Sequence, residues 1–163
     1  MKSNLHQFLQ KVIYLSYLAL AIITPLIFST KTSELFEVPK MYFVYFCALS
    51  IVTCYTLKFV LEKRKLLPIN LVAISFFLFV VIQAIATFTS IDVFTSLFGY
   101  PSRLNGGLVS QIVYFFILVC ALVNLTKENV KAITTALIFS ALAVSFWGIP
   151  SHFGFDPNCL VLT

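Results

Sequence analysis

The sequence is poor in charge. Asp, Glu, Lys and Arg together make up 10% of its 163 residues, against about 25% in a soluble protein. No stretch is long and polar enough to form a separate soluble domain, and that class is excluded. Metal-site spacing is also lacking. The four cysteines (Cys47, Cys54, Cys120 and Cys159) include no C-x-x-C pair, and the two histidines, His6 and His152, lie far apart. A structural metal site needs several such ligands close together. The net charge of +5 does not signal nucleic acid, because no basic stripe with interleaved aromatics lies outside the apolar segments.

What is present is apolar sequence in long blocks. The hydrophobic fraction is 60% and the mean hydropathy +1.00, well above the roughly 45–50% apolar usage of soluble domains. Five runs carry no charge at all: Val12 to Phe28, Met41 to Leu57, Leu71 to Phe88, Leu108 to Leu125 and Ala132 to Ile149. A helix needs roughly 17–25 mostly apolar residues to cross a bilayer core of about 30 Å. Barrel strands alternate polar and apolar residues, and Ser75-Phe76-Phe77-Leu78-Phe79-Val80-Val81-Ile82 does not alternate. The expected fold is an all-α integral membrane protein, a single membrane domain over residues 1–163. Its five transmembrane helices are expected at about 12–28, 41–57, 69–88, 108–125 and 132–149. The cysteines read as small buried residues, with Cys47 and Cys54 on one helix face.

Charge gives the topology. Lys2, Lys11, Lys58, Lys63, Arg64, Lys65, Lys127 and Lys131 fall on one side of the spans, and Lys31, Lys40 and Arg103 on the other. The positive-inside rule then places the amino terminus in the cytoplasm. Segments 29–40 and 89–107 and the carboxyl end face outward. The first span is too long, and Ile27-Phe28-Ser29 too unlike A-x-A, for a cleaved signal peptide. Pro25 is expected to kink that span, Pro39 to open the second helix, and Thr126 to cap the fifth. Asn124-Leu125-Thr126 matches a glycosylation acceptor but falls on the cytoplasmic side. Gln83 and Gln111 are expected to hydrogen-bond between helices.

One outward loop looks like a site. It runs from Thr89 to Gly107 and carries a single basic residue, Arg103, with turn-forming Gly99, Pro101, Gly106 and Gly107. A guanidinium suits bidentate binding of phosphate. Gly106 and Gly107 stand where a helix begins, and a helix amino terminus favours anions. Arg103, Gly106 and Gly107 are therefore the candidate substrate-binding residues, with no catalytic residue assigned and no metal or cofactor expected. The alternative is an interfacial loop in which Arg103 snorkels or pairs with Asp92. Glu34, Glu37 and Lys40 read as a solvated loop, and His152 as structural.

Three stretches resemble the bacterial O-antigen ligase and polymerase family. They are Thr24 to Ser29 running into Glu34 to Lys40, Thr89 to Asp92 followed by Leu97 to Gly107, and Gly148-Ile149-Pro150. The order S-x-D, then G-x-x-x-R-x-x-G-G, then a helix carries most of the likeness. The resemblance implies a multi-span glycosyltransferase of the bacterial cytoplasmic membrane. Such enzymes take a glycan from undecaprenyl diphosphate on the outer face and pass it to a glycan, lipid or protein acceptor. It also implies metal-independent chemistry, with arginines such as Arg103 on the diphosphate. Family members carry many more spans and a later catalytic loop, so the chain is expected to be the first part of a larger fold and inactive alone. A non-enzymatic membrane subunit or a transporter fragment is the competing expectation.

Overall fold

A computed structural model of the chain describes residues 2–27, 37–62, 70–100 and 103–153, with backbone only at 2, 3, 62, 151 and 152. Lys31, Glu34, Lys63, Arg64, Lys65, Pro101, Ser102, Cys159 and the side chain of His152 lie outside that description. Six helices follow one another: α1 (Lys2–Leu26), α2 (Glu37–Glu62), α3 (Leu71–Phe88), α4 (Val93–Phe98), α5 (Leu108–Asn124) and α6 (Lys127–His152). No strand occurs among the described residues.

The apolar runs became helices, and most of the helices outgrew them. α1 starts ten residues before Val12, and α2 begins at Glu37 and continues past Lys58. Pro39 falls in the first turn of α2, where its missing N–H has no partner to lose. The third span starts at Leu71 rather than near 69, because the Asn70 side chain caps it by accepting the Val72 N–H at 3.2 Å. Thr126 caps α6 as expected, accepting the Asn129 N–H at 3.3 Å. α6 passes through Pro150, which lies in its last turn, to His152. Pro25 likewise lies within the last turn of α1.

Four helices are long and apolar enough to cross a membrane: Asn4–Leu26, Glu37–Leu61, Leu71–Phe88 and Lys127–Pro150. α5 is apolar but has 17 residues, about 25 Å at the helical rise of about 1.5 Å per residue. The architecture is that of a multi-pass membrane bundle. Some hydroxyls bond back to their own helix, as Ser16 does to the Val12 carbonyl at 2.9 Å and the exposed Ser145 to that of Ala141 at 2.9 Å.

Spatial order departs from chain order. Neighbours run α6, α1, α2, α5, α3, with α4 against α5 and α3. The centre is Ile13 and Tyr17 of α1, Ile51 and Tyr55 of α2, and Cys120 of α5. Spacing by four residues places each pair on one helix face. The Tyr17 hydroxyl crosses to the Ile117 carbonyl at 2.6 Å, and Ser140 of α6 reaches the Ile22 carbonyl at 3.0 Å. Phe76 stacks on Phe115 with centroids 6.0 Å apart, joining α3 to α5. The edge helices are barely covered: 6% of the apolar stretch of α6 is buried, against 28% for α2. Cys47 and Cys120 are buried and free, as small core residues should be.

Gln83 and Gln111 make no inter-helix hydrogen bond through their side chains among the described residues. Gln10, Lys58 and Asn124 take that role. Lys58 Nζ donates to Asn124 Oδ1 at 2.8 Å and to Gln10 Oε1 at 2.5 Å, and Gln10 Nε2 donates to the Asn124 carbonyl at 2.6 Å. Asn124 also donates to the Cys120 carbonyl at 2.9 Å. Asn124 is thus buried, with both ends of its amide hydrogen-bonded.

Candidate functional site

Within the Thr89 to Gly107 segment, residues 93–98 form a helix. Asp92 starts a short helix, α4, by accepting the Thr95 N–H at 3.1 Å and the Thr95 hydroxyl at 2.6 Å. Those two bonds, the hydroxyl first, hold the Asp92 carboxyl below the usual carboxylate range. Phe94 and Phe98, four apart, pack with centroids 5.1 Å apart, and Gly99 ends the helix. The sequence held those signals: an N-cap residue, an aromatic pair at helical spacing and a terminal glycine.

Past Gly99 the chain turns tightly. The Arg103 and Leu104 N–H groups both donate to the Tyr100 carbonyl at 2.9 Å. Leu104 has φ of 53°, a left-handed conformation that costs a leucine about 1–2 kcal/mol. Surrounding contacts hold it there. Tyr45 of α2 donates to the Leu104 carbonyl at 2.9 Å, and Tyr114 of α5 to Asn105 Oδ1 at 3.1 Å.

The three candidate binding residues sit together in this turn, in different circumstances. Arg103 pairs with Glu37 at 3.6 Å (Nε to Oε2), both side chains half exposed. Glu37 is thus the first residue of α2 and an ion-pair partner, not part of a solvated loop, and Lys40 lies one turn on. The Gly106 N–H donates to its neighbour's Asn105 Oδ1 at 2.8 Å, and its φ of 86° explains a glycine there. Gly107 precedes α5 as an N-cap with no side-chain bond. A Cβ on Gly107 would lie 2.3 Å from the Gly99 nitrogen, and one on Gly99 would lie 2.2 Å from the Asn105 carbonyl oxygen. These two glycines allow backbone to touch backbone.

Below the turn an apolar groove of about 390 Å³ opens between α2 and α5. Tyr45, Ala48, Leu49 and Val52 line one wall, and Val109, Val113 and Phe116 the other. Tyr45 is the hinge of the arrangement, since its ring forms groove wall and its hydroxyl holds the residue next to Arg103. Chemically, the site is a guanidinium paired with a carboxylate near an apolar slot. Sequence reasoning found Arg103 but not the groove, whose walls are 57 or more residues apart in the chain. No family profile, no curated protein and no solved structure matches the chain.

Proposed function

We propose that the chain is an O-antigen ligase-like membrane element that holds a polyprenyl-diphosphate-linked glycan. A segment of the tail occupies the α2–α5 groove, and the diphosphate meets Arg103 at the membrane boundary, with Gly106 and Gly107 forming the turn beside it. The observation that carries this reading is the continuity of groove, Tyr45, Leu104 and Arg103. The charge distribution supports the outer face of a bacterial cytoplasmic membrane for this end. Among the described residues it holds Lys40 and Arg103, whereas Lys11, Lys58, Lys127 and Lys131 stand at the opposite end. An acceptor glycan, lipid or protein would approach from outside. No residue here is assigned the transfer step itself.

A second reading, a non-enzymatic membrane subunit, draws on the engagement of Arg103 by Glu37 and the bare faces of α3 and α6. A photo-activatable polyprenyl diphosphate with the reactive group on its tail separates the two. In nanodiscs, label is expected at Leu49 and Val113, displaced by unlabelled undecaprenyl diphosphate. Arg103→Ala should lower capture by about tenfold or more, as befits a lost hydrogen bond to a charged group. Label scattered over α3 and α6 without competition would leave only the second reading.

A further inference from the structure

A second recess, of about 300 Å³, lies at the other end of the bundle. His6, Gln7, Gln10, Lys11 and Tyr14 of α1 line it together with Asn129 of α6. The α1 residues share one face because they recur at helical spacing. Every lining side chain can donate a hydrogen bond and none is a carboxylate. Glu128, next to Asn129, is exposed and outside the lining. Gln10 is fixed by Asn124 and Lys58, which sets a second ammonium directly behind the recess. The recess also lies where the charge-free run of α1 begins, at Val12, and the ends of such runs are where a spanning helix meets headgroups.

We propose that this recess binds a phosphate ester, with Lys11 as its charge partner and Tyr14, Gln7 and Asn129 as neutral donors. An anionic phospholipid headgroup and a soluble phosphate offer that chemistry alike. Basic pockets between membrane helices are where such headgroups settle. The site is separate from the groove at the far end and does not depend on the reading given to it.

The test uses the full chain in detergent, with native mass spectrometry after addition of phosphatidylglycerol or phosphatidylcholine, and thermal stability with inorganic phosphate. Phosphatidylglycerol is expected to be retained over phosphatidylcholine. Lys11→Gln should reduce that retention about fivefold, the influence of one lysine at an anionic surface. Tyr14→Phe should reduce it less, and it serves as the probe if Lys11→Gln does not fold. Lys131→Gln should change nothing, because two residues along a helix turn it about 200° away from Asn129. Stabilisation by inorganic phosphate alone, lost in the same variants, would assign the recess to a soluble phosphate. Equal retention of both lipids with no effect of phosphate would overturn the site. So would an equal loss in Lys131→Gln, which would signal general surface charge.

Discussion

At the end where the amino terminus lies, α1, α2 and α5 are joined by the side chains of Gln10, Lys58 and Asn124. At the opposite end, the tie between α4 and α5 is backbone on backbone, Gly99 against Gly107, with two tyrosines pinning the turn between them. The two behave differently under strain. A lysine and a glutamine have several rotatable bonds and can re-aim when a helix shifts. A contact between two residues without Cβ has no rotamer to change. The first end holds helices together; the second fixes the backbone from which Arg103 projects.

Gly107→Ala strikes the rigid end and should have the largest effect. Its new methyl would overlap the Gly99 nitrogen, and the expected loss is about 3 kcal/mol, the upper part of the range for overpacking. Chemical unfolding in mixed micelles measures it, and a loss below about 1 kcal/mol would mean that the turn yields as easily as the other end. Asn124→Leu strikes the flexible end. It removes an acceptor from the half-buried Lys58 and a bond to Cys120. The expected cost is about 1–2 kcal/mol, above the roughly 0.6 of an average inter-helix hydrogen bond in lipid because one partner is charged. An unchanged midpoint would show that this end holds without Asn124. Glu37→Gln should move stability least, by about 0.5 kcal/mol or less, since its pair with Arg103 is half exposed. It should nevertheless raise capture of the polyprenyl diphosphate probe, because the guanidinium loses its competing carboxylate. Unchanged capture would detach Arg103 from the ligand and sharpen its role into a structural one.

Local signals were legible in the chain. Thr126 and Pro39 took the positions their chemistry suits, and the buried cysteines behaved as core residues. α4 was legible in principle, from Asp92, the Phe94–Phe98 spacing and Gly99, but lay within a segment rich in turn formers. The polar cluster was not legible. Lys58 read as a topology charge and Gln10 drew no reading, because nothing in either neighbourhood points across 48 residues to the other. Gln83 and Gln111 carried the same amide chemistry inside the spans and formed no such tie. Arg103 was found as the lone cation of its segment, whereas its partner Glu37 was hidden by 65 intervening positions.

By itself the sequence determined that this chain is helical, roughly where each long helix runs, and which basic residues share an end. A charge-free run in a lipid environment must satisfy its own backbone, and only a helix does so within one segment. Which helix stands beside which was decided by the tertiary structure alone. A leucine gains little by exchanging a lipid tail for another leucine, so the apolar pattern leaves neighbours unspecified. The order α6, α1, α2, α5, α3 depends on a few polar and small residues meeting across the bundle, as do the groove beneath Arg103 and the recess beside Lys11.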